Sequence, residues 1–476
     1  MKFILFCVHS TGLAVAIASG AALPIALIFP SLGRSVFAQT LPETQADSVP
    51  VPDFLNPDPN PLQLPIQPQE VKIQRTQPIT LAEALELAKR NNRELQVAIL
   101  ELERSRSALR ESQAVLSPNI GVNTNLTKSG QDFIGSGSQT RTSFNSQAQI
   151  NYDLFNSGRS IRVAEERLRI DELDVENRTL EVRLNVTTQY YDLQEADEQV
   201  RINQSAVENA QASLRDAQAR ERAGVGTRFD VLQSQVNLAN AQQGLTNSLA
   251  QQQIARREFA SFLNLAQSVD ISAADAVQEA GVWEPTLEES IVQAFQNRPE
   301  LPQFLAQRNI SELERRQALS RLSPQFSLNG NYNIVDQFDD GQSLTDGYSV
   351  GFRASLTLFD GGAAKANAAQ SKINIAIAES QFASQRDQIR FNVEQFYAQL
   401  QSNSENIKTS TVALDQAREA LRLARLRFEA GVGTQTDVIF AENDLTRSEG
   451  NRVTAILNYN RALANLQRTV TFRSVR

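Results

Sequence analysis

Two periods of apolar residues alternate along this chain. From Arg159 to Arg222, and again from Ala363 to Ala430, there is neither Gly nor Pro, and apolar or small residues recur at spacings of three and four. In the first run the stripe is Leu193, Ala196, Val200, Asn203, Val207, Ala210, Leu214 and Ala217. In the second it is Leu400, Asn403, Ile407, Ser410, Leu414, Ala417, Leu421, Ala424 and Phe428. Such a stripe is the seam of a coiled coil. At ~1.5 Å per residue these runs predict helices of roughly 95–100 Å, longer than any compact domain holds. Large residues alternate with Ala, Asn or Ser, so neighbouring helices can approach closely, and the polar members fix register.

Between the helical runs the period switches to two. The alternation predicts strands over 119–129, 141–155, 325–335 and 348–359. One face collects Phe144, Ile150, Tyr152, Leu154, Phe326, Tyr332, Tyr348, Phe352 and Leu356, while the other is almost wholly polar and uncharged. A soluble sandwich with one wet face has the same alternation. Strands of about ten or more residues with aromatic ends favour a membrane barrel, in which the apolar set faces lipid. The connections Gly130–Gln139 and Asp336–Gly347 are rich in Gly, Ser and Asp, as exposed turns are. Four strands cannot close a barrel, and an open sheet leaves unsatisfied edges in lipid. Two chains give about eight strands, filled by their own side chains; three give about twelve, wide enough for a passage.

The folded body is an internal duplication. Leu81-Ala82-Glu83-Ala84-Leu85 recurs as Leu287-Glu288-Glu289-Ser290-Ile291, and Leu116-Ser117-Pro118 recurs as Leu322-Ser323-Pro324. Leu154-Phe155-Asn156-Ser157-Gly158 matches Leu358-Phe359-Asp360-Gly361-Gly362, and Ala223-Gly224-Val225-Gly226-Thr227 returns letter for letter at Ala430–Thr434. A period of about 200 residues is that of a duplicated domain rather than a short solenoid repeat. The first repeat, 79–280, carries predicted helices 81–91, 93–117, 159–222 and 228–264. The second, 281–472, carries 287–297, 299–322, 363–430 and 435–471. In each repeat the two intermediate helices together nearly match the long one. They are therefore expected to stack end to end alongside it.

The N-terminus supplies the remaining layout. Lys2, an apolar run from Phe3 to Phe29 and Val36-Phe37-Ala38 read as a secretion signal, 1–38, cut after Ala38. Ser10, Gly12, Gly20, Pro24 and Pro30 interrupt the run and argue against an uncleaved anchor. Prolines crowd between Pro42 and Pro78, so 39–78 is expected to be an extended or disordered linker.

Composition narrows the chemistry. The 476 residues include one Cys and one His, and both, Cys7 and His9, lie in the signal. The mature chain therefore has no Cys/His metal site, no disulfide and no Cys- or His-based acid–base catalysis, so an enzyme and a bound cofactor are not expected. Cleavage removes Lys2 and Arg34 but no acid, leaving a chain more acidic than the full-length net charge of -8. An acidic exported chain is a poor nucleic-acid binder.

The duplicated pattern resembles the TolC-type outer membrane factor family over about residues 79–472. The residues that carry the resemblance are Leu81-x-x-Ala84-Leu85, Leu116-Ser117-Pro118, Leu322-Ser323-Pro324 and Leu358-Phe359-Asp360-Gly361-Gly362. Above all they are Arg427–Val438 and its copy Arg220–Val231. The resemblance implies an α+β membrane protein: a homotrimer with a 12-stranded β-barrel in the outer membrane, four strands per chain, continued by a long α-helical coiled-coil tunnel in the periplasm. It further implies a passive exit duct for efflux or type I secretion. Such a duct docks on a periplasmic adaptor and an inner membrane transporter of ABC or RND type, which supplies the energy.

By position, the tips that would dock the adaptor are Gly224, Val225, Gly226 and Thr227 with Gly431, Val432, Gly433 and Thr434. Asp437, and with it Asp230, would ring the tunnel entrance with carboxylates. An acid at a helix N-terminus is the alternative for both, and for Asp230 the two readings stand even. The sequence departs from the family pattern where Gly433 stands for an Arg that would tie the repeats, and where Phe440 replaces a second entrance acid. Arg228 is then one candidate for a closed-state contact. Trp283 is expected to pack against the equator of the helical cylinder rather than bind a ligand. A trimeric coiled-coil stalk or adhesin would share the heptads without needing the strands, and a diffusion porin would share the barrel without needing the long helices.

Overall fold

The computed structural model describes residues 52–57, 60, 62, 64–133, 137–154, 157–338 and 344–470. The signal segment 1–38, the linker up to residue 51, and Phe155 and Asn156 of the repeated motif lie outside them.

Local capping chemistry sets where the helices begin. Thr80 caps α1 (Leu81–Asn91) in a reciprocal box with Glu83, and Thr286 caps α5 (Leu287–Asn297) in the same way with Glu289. Asn92 accepts from Leu95 N to start α2 (Arg93–Ala114), whereas α6 (Glu300–Ser320) follows Pro299 without a side-chain cap. Both α2 and α6 stop short of the 93–117 and 299–322 expected. A residue preceding proline is pushed out of the helical region, so residues 115–117 and 321–323 leave through tight turns before Pro118 and Pro324. The long helices are α3 (Ser157–Arg222) and α7 (Ala363–Glu429). Each is followed by a return helix, α4 (Arg228–Phe262) and α8 (Gln435–Val470).

The shorter helices lie along the long ones. α3 packs against α2, α4, α6 and α8, and α7 packs against α5, α6 and α8. Helices of 22 and 35 residues thus accompany one of 66, and helices of 21 and 36 accompany one of 67. The end of each return helix meets the last residue of the short helix just before α2 or α6. Asn264 Nδ2 donates to Asn91 O at 3.2 Å, and Asn297 Nδ2 to Val470 O at 3.5 Å.

Burial follows the heptad stripe differently in the two long helices. On α7, Leu400, Ile407, Leu414, Ala417 and Leu421 are buried, while Ile373, Ile377 and Phe391 are exposed. On α3, with neighbours on both sides, burial spreads beyond the stripe to Ile202 and Ser213, and Val200 and Leu214 are half-buried. No helix among the described residues is long and apolar enough to cross a membrane.

The four strands β2 (Asn119–Phe133), β3 (Gly137–Asp153), β5 (Gln325–Gln337) and β6 (Thr345–Ser355) form one antiparallel sheet in the order β2-β3-β5-β6. The β2–β3 ladder runs on to Phe133↔Gly137, so most of the expected 130–139 loop is strand. At the other end β6 stops at Ser355 rather than 359. Its partner there is Gln325, and Pro324 before it has no N–H to extend the ladder. Leu356 therefore lies beyond β6, and Leu154 lies beyond β3, held by one bond from its N to Phe326 O at 3.0 Å.

The linker expectation needs correction. Asp53–Leu55 form a short 3-10 turn, with Leu55 only 1% exposed in the core beneath α1 and α3. Arg75–Ile79 is a strand, β1, paired in parallel with β4 (Val269–Ala273), an element the apolar pattern did not predict. Pro78 is tolerated because β1 uses only one of its edges, in a sheet of two strands. Tyr190 closes this joint from α3. Its hydroxyl donates to Asp275 Oδ2 at 2.8 Å, lies 3.1 Å from Ile79 O, and accepts from Asp275 N at 3.2 Å. Burial holds its pKa well above the ordinary tyrosine value, so the hydroxyl keeps its proton. Trp283 packs with Leu287 and Ile291 on the core of the second half, its Nε1 donating to Ser290 Oγ at 3.1 Å.

Candidate docking tips and conduit wall

Each long helix reverses into its return helix over the same residues with the same bonds. After α3, Val225 N donates to Arg220 O at 3.0 Å and Gly224 N to Glu221 O at 3.0 Å. After α7, Val432 N donates to Arg427 O at 2.9 Å and Gly431 N to Phe428 O at 3.0 Å. This is the paired bonding that ends a helix through a left-handed residue. Gly224 and Gly431 supply that residue at φ 75 and 76°. Gly226 and Gly433 are needed for a different reason: a Cβ there would lie 2.9 Å from Arg220 Cβ and 3.1 Å from Arg427 Cβ, respectively. The chain then restarts at Thr227 and Thr434. The outermost side chains of the two turns, Val225 and Val432, are 68% and 69% exposed.

The two acids expected at an entrance are tied into these turns. Asp230 Oδ2 accepts from Thr227 N at 3.0 Å and Asp437 Oδ2 from Thr434 N at 2.9 Å, each the third residue of its helix. The Thr434 backbone N–H, then its hydroxyl, holds the Asp437 carboxyl below its usual range, so it stays ionised at neutral pH. Asp437 is exposed and Asp230 half-buried. Arg228 pairs with Glu221 of its own hairpin at 3.7 Å, so it does not tie one hairpin to the other. Phe440 is 64% exposed.

Other residues join the two hairpins. Thr436 Oγ1 donates to Gln233 Oε1 at 3.1 Å, and the Arg220 guanidinium lies 4.5 Å above the Phe428 ring. Further in, Glu442 of α8 is 4% exposed and accepts from Ser213 of α3, Arg425 of α7 and Asn237 of α4. Arg425 also donates to Asn209 of α3 at 2.9 Å. Sequence reasoning passed over this cluster. The available signal was an acid at 442 beside Val438 and Leu445, on the apolar stripe of α8.

On the sheet, register brings the expected apolar residues to one face. Ala148, Tyr332 and Tyr348 form one row, Tyr152, Leu328 and Phe352 another, and Ile150, Gly330 and Val350 lie between them. Phe326 stacks on Phe352 with ring centroids 5.6 Å apart. Ile150, Tyr332, Tyr348 and Phe352 are 41%, 43%, 84% and 62% exposed, and Phe144 is half-buried. Tyr348 and Phe352 thus present large apolar groups to the outside. The opposite face carries Asn, Gln, Ser and Thr, and among the described residues both outer strands, β2 and β6, have one edge unpaired. No group of His, Cys, Asp and Glu suited to a metal ion occurs among the described residues.

The family model described as Outer membrane efflux protein matches residues 84–265 and 290–470. The chain is 27% identical over 193 residues to the outer membrane protein TolC of Vibrio cholerae; this spans 37% of the chain and 43% of that relative. Among solved structures it is similar to the transmembrane channel CusC, with a TM-score of 0.73 at 17% identity, covering 87% of this chain and 99% of that one. It is likewise similar to the outer membrane protein VceC of Vibrio cholerae, with a TM-score of 0.70 at 17% identity over 82% and 95% of the two chains. The fold is thus that of the TolC-like channels, with long helices and a small sheet. The family match covers most of both halves of the chain, which makes it a protein of the outer membrane with a periplasmic helical part. The chain belongs to the outer membrane efflux protein family.

Proposed function

We propose that three copies of this chain form a passive exit duct: a 12-stranded barrel in the outer membrane continued by a helical tunnel, built on an internally duplicated chain. The single observation that carries this reading is the four-stranded sheet, with an apolar face and edges at β2 and β6 that are unpaired among the described residues. In lipid such edges must be satisfied, and pairing β6 of one copy with β2 of the next closes the ring. The helices support the same closure. Their lateral contacts leave α7 at one side of the chain and α2 and α4 at the other, and α7 exposes Ile377 and Phe391.

The tips dock a periplasmic adaptor through Val225 and Val432, and an inner membrane transporter of ABC or RND type supplies the energy. Three Asp437 carboxylates then ring the entrance. The duct catalyses nothing and takes no cofactor. A coiled-coil stalk would not need the sheet, and a diffusion porin would not need α3 and α7. Outer membrane fractions, native mass spectrometry and negative-stain imaging test the reading together. A threefold particle on the order of 140 Å long is expected, about 100 Å of it helix. A soluble monomer or a rod without a barrel would end it.

A further inference from the structure

We infer that the polar face of the sheet is a neutral carboxamide wall that binds hydroxyl-rich, uncharged chains, the chemistry of a glycan, as they leave the duct. The inference rests on the closed barrel proposed above, which turns this face to the lumen. Register places Asn123, Gln147 and Asn333 in one row and Gln149, Asn331 and Ser349 in the next. Across four consecutive rows, from that of Asn151 to that of Asn145, the face carries no Asp, Glu, Lys or Arg. Charge appears only beyond them, at Asp153 and Arg353 on the helical side and at Arg141 on the outer side.

The amides already act as a hydrogen-bonding lattice. Gln147 Nε2 donates to Asn331 Oδ1 at 3.3 Å, and Asn331 Nδ2 donates to Ser349 Oγ at 3.5 Å, a chain that crosses three strands. Each carboxamide has two N–H donors and an oxygen with two lone pairs, more than these bonds use. A hydroxyl is donor and acceptor at once, so a hydroxyl-rich chain is satisfied by such a wall at every step. An ammonium or carboxylate finds no opposite charge in these four rows, and a hydrocarbon finds only Val335, in the row of Asn145. Side chains on one face recur about every 6.7 Å along a strand and ~4.8 Å across strands, so successive sites overlap and a chain moves between them without being released.

The test is single-channel recording of the full-length protein in planar bilayers, with maltoheptaose or a polyethylene glycol of equal hydrodynamic radius added on the barrel side. Maltoheptaose is expected to give current blockades about tenfold longer than the polymer, the equivalent of ~1.4 kcal/mol. Gln147→Val together with Asn331→Val should shorten them towards the polymer's. Equal dwell times for sugar and polymer in conducting wild-type channels would overturn the carboxamide wall and leave the duct standing. Absence of any conductance would overturn the duct, and the wall with it.

Discussion

The carboxylate of Glu442 lies 2.6 Å from the hydroxyl of Ser213, across the interface between α8 and α3. Arg425 reaches the same carboxylate oxygen at 3.1 Å. An acid that is 4% exposed thus joins the first long hairpin to the second, just inside the tips.

Replacing it tests how much the two hairpins depend on this contact. Glu442→Ala leaves Ser213 and Arg425 without their shared acceptor and should cost ~1–3 kcal/mol. Glu442→Gln, which keeps one acceptor oxygen, should cost less. Thermal unfolding followed by circular dichroism reads both. An unchanged melting temperature for Glu442→Ala would show that Arg425, which is 41% exposed, is satisfied by water instead.

At the tips, Gly224→Ala forces a Cβ into a left-handed conformation and should cost ~1–2 kcal/mol. Gly158→Ala, where φ is ordinary and nothing lies within 4 Å of the added carbon, should be neutral or slightly stabilising. Comparing the two melting temperatures separates the demand of the turn from a general response to losing a glycine.

Tyr190→Phe removes the hydroxyl that serves Ile79 O and Asp275 while leaving the ring in place against Phe259. The Asp275 carboxylate and the Asp275 N–H lose this partner, at a cost of ~0.5–1.5 kcal/mol. The loss falls on the β1–β4 joint, so limited proteolysis should cut the segment 64–80 faster in the variant while the tips are cut at the wild-type rate. Equal rates in that segment would mean that the strand pairing alone anchors it.

The Asp437 carboxyl has a folded pKa below its ordinary value of 3.8, held there first by Thr434 N–H and then by the Thr434 hydroxyl. The sign follows from that direction. Its capping contribution is fully present above 3.8 and is lost as pH falls through the lower folded value. In the trimeric duct, cation preference measured as a reversal potential in a salt gradient should therefore hold from pH 7 down to about 4 and fade only below that. Asp437→Asn should reduce the preference at every pH in that range; a variant with the wild-type potential would place the selectivity elsewhere.

Residues 144–154 and 193–217 show how unevenly the sequence exposed its own outcome. Strict alternation in the first and spacings of three and four in the second indicated strand and helix, because backbone geometry alone decides which side chains share a face. The glycine turns were equally legible. A left-handed residue and a close approach to Arg220 or Arg427 leave few alternatives to Gly, and the two copies confirm each other's spacing. Composition confined the one Cys and the one His, Cys7 and His9, to the segment read as a secretion signal.

What the sequence left open depends on partners distant along the chain. The 53–55 turn and β1 looked like linker because prolines dominate the local signal. Leu55 and Arg75–Ile79 find their places only through β4, α1 and α3, far along the chain. Asp437 was expected as an entrance acid and Asp230 equally as an entrance acid or a helix cap; the fold binds both to the backbone N–H of the threonine just before their helices. Glu442 received no reading from the sequence; in the fold its α8 position is enclosed by Ser213 of α3, Asn237 of α4 and Arg425 of α7. Local periodicity is a property of consecutive residues and can be read directly, whereas the burial of a single polar group is set by whatever the folded chain brings against it.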